Sequence, residues 1–181
     1  MRVHLRGSAA SLGQEVPPAG VSALAGVNAD FKLTSAASDT ERRKAAANWM
    51  TNPANPLFSR VIVNRIWHHH FGQGLVKKPS DFGAGGGRPS HPELLDWLAG
   101  WFQQNNYSLK SLHRLIVTSM TYRQSSASRP DSLGRDRDNR LLWRFAPKRL
   151  EGEAVRDSLL QAAGMLNTQQ SGPSYEDVKE I

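Results

Sequence analysis

The chain has 181 residues, a formal net charge of +7 and no cysteine, and this length suffices for one globular domain with its own core. Within these residues the lack of cysteine excludes disulfides, thiolate metal sites and cysteine nucleophiles, and no apolar run approaches the roughly 18 residues of a membrane helix. The positive charge favours an anionic partner, such as nucleic acid, acidic polysaccharide or a membrane surface.

The first 37 residues predict an extended lead-in. Val3 to Arg6 give one short strand signal, and Gly, Pro, Ala and Ser follow without sustained periodicity. Helical patterns begin after this segment and end before the last residues of the chain. We therefore predict an irregular segment over residues 1–37, a helical domain over 38–166 and an irregular tail over 167–181.

Two helix signals follow in succession. Ser38 and Glu41 match a capping box, so the first helix is expected to run from there to about Met50. Pro56 suits the first turn of a second helix over residues 57–71. Apolar residues fall on every side of this second helix, which is typical of a buried helix at the centre of a fold.

Two more helices are expected before residue 125. A capping box at Ser90 opens the third helix, which runs to about Gln104. Ser108 caps the fourth helix, and its apolar spacing places Leu109 and Met120 among the residues that face inward.

The remaining pattern completes the fold class. Residues 125–138 are polar and predict a surface loop, and Pro147 begins a fifth helix that ends near Gly164. Alternating strand patterns are nearly absent. We predict an all-α fold with about five helices around the central buried helix at residues 57–71.

The second helix also carries polar residues that need partners if they are buried. Arg60 and Asn64 share one face, and Arg65 and His69 share another. Because an unpaired buried charge is costly, acids from other segments are expected to neutralise these residues, and those of the fifth helix are especially suitable. The candidate acids are Asp81, Glu93, Asp96, Glu151, Glu153 and Asp157. The predicted polar network consists of Arg60, Asn64, Arg65, His69, Asp81, His91, Glu153, Arg156 and Asp157.

Two interpretations of this network stay open. It would fix the packing of the second helix on the fifth, or it would form a binding or catalytic site that uses Arg65, His69, His91 and an acid. No catalytic motif is recognisable. The three successive histidines, residues 68–70, point about 100° apart on a helix, so they cannot converge on one ion, and we expect no metal site.

Two further patterns indicate binding to anions. Glycine-rich loops that precede helices can offer amides to an anion, and here the candidates are Gly86, Gly87, Arg88 and Ser90. The third and fourth helices have the spacing of a helix-turn-helix, whose basic edge would be formed by Lys110, His113, Arg114 and Arg123. Most helical hairpins are only packing units, so nucleic-acid binding is the runner-up hypothesis.

Several ordered blocks resemble one family. The blocks are NPLFSRV (55–61), VNRIW (63–67), FGQGLV (71–76), DFG (81–83) and PSHPELLDWLA (89–99), followed by residues 119–125, 138–144 and 149–157. Together they resemble the uncharacterised C-terminal domain (domain of unknown function 1553) of large planctomycete-type cytochrome-c-associated surface proteins. The resemblance runs from about Arg2 to Ser174.

The resemblance implies a setting but no catalytic residues. It implies an exported, periplasmic or cell-surface protein, with haem only in a separate upstream domain of relatives and no cofactor in this chain. The implied partners are other domains of the same or a larger protein, with links to electron transfer or polysaccharide use. Because relatives continue beyond Ser174, we expect a partial copy with exposed apolar surface where missing segments dock. The preferred function is a helical scaffold or interaction domain.

Overall fold

The computed structural model describes residues 2–169, and their regular structure is almost entirely helical, which confirms the all-α prediction. The chain divides into an N-terminal unit, Met1–Ala146, and a C-terminal unit, Pro147–Ile181. No helix within residues 2–169 is both long and apolar enough to cross a bilayer. The described helices are α1 (Asp39–Met50), α2 (Pro56–Phe71), α3 (Pro92–Gln104), α4 (Leu109–Thr118), α5 (Met120–Arg123), α6 (Pro130–Arg135) and α7 (Gly152–Ala162).

The extended lead-in is confirmed, and it contains a hairpin. Strand β1 (Arg2–His4) pairs antiparallel with β2 (Leu12–Glu15). Further along, the lead-in packs on α1, because Gly20 lies so close to Trp49 that a Cβ atom there would sit 2.5 Å from the indole ring. The ring of Phe31 lies 6.5 Å from that of Trp49, measured between centroids. Trp49 therefore holds the lead-in against the helical part of the unit.

Helix α1 begins as the sequence predicts. The hydroxyl of Ser38 accepts the Glu41 N–H at 3.3 Å, and a Glu41 carboxylate oxygen accepts the Ser38 N–H at 2.8 Å. These reciprocal bonds satisfy two backbone donors that a helix start leaves without partners. The predicted capping box and the predicted end at Met50 are both confirmed.

Helix α2 is central, but it is buried on one face only. It packs against α3 and α4, and its buried residues are Ser59, Val63, Asn64, Trp67 and Phe71. Its opposite face is partly open to solvent, so the expectation of burial on every side is wrong. The physical reason is that apolar side chains such as Val61 and Ile62 are only partly buried and line an open groove.

The hydrophobic core joins α2 to the segment that follows it and to α3 and α4. Large apolar side chains dominate it, and burial of each stabilises the fold by about 1.5–3 kcal/mol. The cluster consists of Val63, Trp67, Phe71, Leu75, Val76, Leu95, Leu98, Phe102, Leu112 and Ile116.

The predicted capping box of α3 is wrong. His91 is the N-cap residue, and no side chain bonds to the amides of the first turn. The Ser90 hydroxyl is occupied elsewhere, 2.9 Å from Nδ1 of His91 and 3.4 Å from the carbonyl oxygen of Leu75. Pro92 opens the helix, since its missing N–H needs no partner there.

Helix α4 ends two residues before Met120. Ser108 caps its start as predicted, but Ser119 adopts extended backbone angles and caps the short helix α5. Met120 then points outward with 82% of its surface exposed, and Leu109 is 48% exposed. The prediction that both residues face inward is therefore wrong. For Met120 the reason is that the helical period stops at Ser119, whereas Leu109 is the first residue of α4.

Two predictions about the second half need correction. The exposed segment 125–138 contains helix α6, which Pro130 opens. Helix α7 begins at Gly152, not at Pro147, because Glu151 still has extended backbone angles of φ −67° and ψ 154°. The predicted domain limits at residues 37 and 166 stay predictions, and residues 170–181 of the predicted tail lie outside the described residues.

Candidate functional site

Asn64 is the most deeply buried residue of the predicted polar network, with no exposed surface. Its side-chain amide donates to the carbonyl oxygen of Val76 at 3.1 Å and accepts the Val76 N–H at 2.9 Å. A carboxamide can do both because it carries a donor and an acceptor side by side. The partner of Asn64 is therefore backbone, where an acid was expected.

Arg60 does find an acidic partner. Its Nε donates to a carboxylate oxygen of Asp96 at 2.6 Å, and its Nη1 donates to the carbonyl oxygen of Pro56 at 2.9 Å. The pair links α2 to α3. Because both side chains are partly exposed, solvent screening limits the stabilisation to about 0.2–1 kcal/mol.

Arg65 and His69 lie on the open face of α2, and both are exposed. The expectation that they are buried is wrong. They follow Phe58 and Ile62 at the i, i+4, i+7 and i+11 spacing of a single helix face. Within residues 2–169, Arg65 forms no ion pair, so its guanidinium remains available to a partner.

Asp81 and His91 hold local structure. A carboxylate oxygen of Asp81 accepts the Gly83 N–H at 3.0 Å, which fixes the start of the glycine-rich loop. That loop passes so close that a Cβ atom on Gly86 would lie 1.8 Å from the Asp81 carbonyl oxygen. His91 is bonded to the adjacent Ser90. Both residues therefore have partners close by in sequence.

The three remaining members of the network belong to α7 in the C-terminal unit. Nη1 of Arg156 lies 3.4 Å from a carboxylate oxygen of Asp157, and Glu153 is exposed. The predicted packing of α7 on α2 stays a prediction.

The predicted anion-binding loop is partly committed to other contacts. Gly86 is buried, whereas Gly87 and Arg88 are exposed, and the hydroxyl of Ser90 bonds to His91. The carbonyl oxygen of Arg88 accepts a hydrogen bond from Nη2 of Arg140 at 3.2 Å. Anion binding by this loop stays a prediction.

Three of the four residues predicted to form a basic edge on α4 and α5 are exposed, and the fourth is not. Lys110, Arg114 and Arg123 are exposed. His113 is instead half-buried, with Nδ1 2.7 Å from Nε2 of His70, and this bond ties α4 to α2. Within residues 2–169, no group of three or more His, Asp or Glu side chains is arranged to hold a metal ion.

An apolar groove runs along the open side of α2 in the N-terminal unit. Its volume is about 320 Å³. Two of its side chains are large apolar groups with much of their surface in water, namely Val21 at 57% and Met50 at 50%. The groove is lined by Val21, Leu24, Trp49, Met50, Asn55, Leu57, Phe58, Val61 and Ile62.

The polar side-chain groups of this groove, those of Trp49 and Asn55, are buried, and Nε1 of Trp49 has no hydrogen-bond partner within residues 2–169. The side chain of Asn55 accepts the Leu57 N–H at 2.9 Å and donates to the carbonyl oxygen of Trp49 at 3.2 Å. Because both polar groups are buried, the groove presents mainly apolar surface to a ligand. We call it the α2 groove.

No sequence periodicity marks the walls of the α2 groove as neighbours. Val21 and Leu24 lie in the lead-in, where apolar residues do not recur at a regular spacing. Only the folded chain brings them beside Trp49 and α2. The sequence indicated the groove only indirectly, because α2 has more apolar residues than a single buried face can hold.

Comparison with known proteins identifies a family. The family model described as PSD1, protein of unknown function (DUF1553), matches residues 42–180. No curated protein and no solved structure matches the chain.

Proposed function

We propose that this chain, which belongs to the PSD1 (DUF1553) family of proteins of unknown function, uses its N-terminal unit as a helical docking module. The α2 groove takes up the apolar side chains of an acidic amphipathic segment from another domain or protein. The observation that carries this proposal is the apolar groove, continued along the same face of α2 by the exposed guanidinium of Arg65 and the exposed ring of His69.

The lining of the groove favours a protein segment over a small molecule. Sites for small molecules combine apolar walls with a few polar groups that orient the ligand. In the α2 groove the side chain of Asn55 is occupied by Leu57 and Trp49. Apolar side chains of a docked helix need no such orientation, because a helix satisfies most of its backbone polar groups by internal hydrogen bonds.

Charge complementarity specifies the sign of the partner. Arg65 lies one helical turn beyond Ile62 on the open face and has no ion pair within residues 2–169. Residues 1–90 contain 11 Lys and Arg but only 5 Asp and Glu. Carboxylates on the partner would meet Arg65, which would add to the rate and specificity of association more than to its strength.

The resemblance of the sequence to domains of large exported proteins supports a partner from the same kind of protein. The proposed partner is another domain of the same or a larger exported multidomain protein, with links to electron transfer or polysaccharide use. An acidic polysaccharide fits this groove less well, since its lining offers apolar surface where a sugar needs hydrogen bonds.

The test uses the full chain and designed helical peptides. One peptide carries Leu at i, i+3, i+4 and i+7 with Glu flanking the apolar stripe, and a second has Lys in place of each Glu. Fluorescence anisotropy of the labelled peptides should show tighter binding of the Glu peptide. In the Met50→Glu variant its binding should weaken about tenfold, because the new carboxylate would be buried against apolar side chains.

The matched control is Leu109→Glu, which makes the same change at an exposed apolar residue outside the groove lining. Circular dichroism confirms that both variants fold. Equal binding of the Glu and Lys peptides, absence of binding, or equal weakening by both substitutions would each contradict the proposal.

A further inference from the structure

A small cleft with a different chemistry lies on the other side of the N-terminal unit's central helix, at the segment that follows α2. Its volume is about 20 Å³, which is only slightly more than one water molecule requires. Apolar side chains, including Trp67 and Leu142, form part of its wall. The polar groups that line it are Gln73, Lys77, Ser90 and Arg140.

The charges in this cleft have one sign. Lys77 and Arg140 come from segments far apart in the sequence, and the fold places both on the same cleft. No carboxylate lines it, and neither cation forms an ion pair within the described part of the chain. Two cations that share a site without an anion repel each other, so an anion between them would be stabilised.

Hydrogen bonds fix the backbone of the segment that precedes Lys77. The Asn64 side chain bonds to both backbone polar groups of Val76. The Ser90 N–H donates to the carbonyl oxygen of Leu75 at 2.9 Å. These bonds place the segment before Lys77 against α2, so little order would have to be created when a ligand binds.

The Arg140 side is also anchored. The two carboxylate oxygens of Asp136 accept the N–H groups of Arg140 and Leu141 at 2.9 and 2.7 Å. The guanidinium itself donates from Nη2 to the carbonyl oxygen of Arg88 at 3.2 Å. Arginine has five N–H donors, so this single bond leaves others for a ligand.

We propose that this cleft binds a single small oxyanion, either free or as a terminal sulfate or phosphate group. Its size admits one or two oxygen atoms, while the rest of the ligand stays at the mouth. Arg140 and Lys77 supply charge-assisted hydrogen bonds, and the Gln73 amide lies beside them as a neutral donor. The Ser90 hydroxyl also lines the cleft, but it is already bonded to His91 and to the carbonyl oxygen of Leu75. The site is distinct from the glycine-rich loop and shares only Ser90 with it.

Isothermal titration of the full chain with sodium sulfate, sodium phosphate and a sulfated monosaccharide tests the proposal, with sodium chloride keeping the ionic strength constant. Binding of the inorganic ions alone would identify the ligand as a free anion. Tighter binding of the sulfated sugar would identify a terminal ester. Arg140→Gln and Lys77→Gln should each lower the affinity about tenfold, as expected for loss of a charge-assisted bond.

The control is Arg135→Gln, which removes the same charge from an exposed residue of α6 that does not line the cleft. It should leave the affinity unchanged. Because Arg140 also bonds to the backbone of Arg88, Lys77→Gln decides the matter if Arg140→Gln fails to fold. No heat of binding with any of the three probes, or equal loss in the control, would overturn the proposal.

Discussion

Asn64 and Val76 lie twelve residues apart and are joined by two hydrogen bonds of 3.1 and 2.9 Å, through which one buried side chain satisfies both backbone polar groups of the other residue. This contact holds the segment that follows α2 against that helix. Leu75 and Val76 thereby enter the core, and Lys77, the next residue, lines the cleft that it shares with Arg140.

Replacing Asn64 by alanine should lower the free energy of unfolding by about 2–5 kcal/mol. The substitution leaves the N–H and C=O of Val76 buried without partners and opens a small cavity. Urea denaturation of the full chain measures the change. Asn48→Ala, at an exposed position of α1, is the control and should stay within about 0.5 kcal/mol of wild type. Similar denaturation midpoints for the two variants would show that the contact contributes little.

Gly74→Ala and Gly100→Ala should have opposite effects on stability. A Cβ atom on Gly74 would lie 2.5 Å from the carbonyl oxygen of Val76 and 2.8 Å from the side chain of Asn64, whereas one on Gly100 meets nothing within 4 Å. Gly100 lies inside α3, where alanine should stabilise the helix by about 0.5–1 kcal/mol. Thermal melting should therefore rise for Gly100→Ala and fall for Gly74→Ala. A fall in both would contradict the assignment of the Gly100 surface as open.

Arg65→Ala should separate docking from stability. The side chain is exposed and has no ion pair within the described residues, so the free energy of unfolding should change by less than about 0.5 kcal/mol. Affinity for the Glu peptide should nevertheless fall, and its dependence on salt should become weaker. Lys110→Ala removes an exposed cation from α4 as the control. A large loss of stability in Arg65→Ala would instead support the buried network predicted from the sequence.

The capping box of α1 should contribute a pH-dependent stability. Hydrogen bonds from the Ser38 side chain, and then from its backbone, lower the pKa of Glu41 from its ordinary value of 4.5. A pKa lowered in the folded state means that the contribution is complete above the unfolded pKa and is lost as the pH falls through the folded pKa. Ser38→Ala should therefore destabilise the fold at neutral pH and do so less in acid.

Denaturation of wild type and Ser38→Ala at a series of pH values measures this difference. Thr40→Ala is the control, because Thr40 is exposed and takes no part in the cap. A difference between wild type and Ser38→Ala that is the same in acid as at neutral pH would exclude the proposed role of Glu41.

Local patterns in the sequence predicted local structure well. The capping box at Ser38, the cap at Ser108 and the opening of α2 at Pro56 depend on residues within one helical turn, and all three are present. Ser90 shows the limit of such patterns. Its hydroxyl bonds to His91 and to the carbonyl oxygen of Leu75. A contact with a residue outside the helix therefore replaces the capping bond that the local sequence motif predicted.

The polar residues of α2 show the same limit for the candidate site. Spacing placed Arg60 and Asn64 on one face and Arg65 and His69 on another. It did not specify which face the rest of the chain would cover, because an excess of apolar residues is compatible with a buried interior or with a groove. Arg60 pairs with Asp96, which was one of six candidate acids but not a member of the predicted network, whereas Asn64 bonds to backbone and Arg65 is exposed.

The sequence by itself determined the helical class, the starts of α1, α2 and α4, and the excess of positive charge, since each depends on composition or on neighbours along the chain. Only the tertiary structure decided that Val21 and Leu24 border α2 and that Lys77 and Arg140 share a cleft. The physical reason is that both surfaces are made from segments distant in sequence, whose proximity follows from packing around α2 and from bonds such as those between Asn64 and Val76.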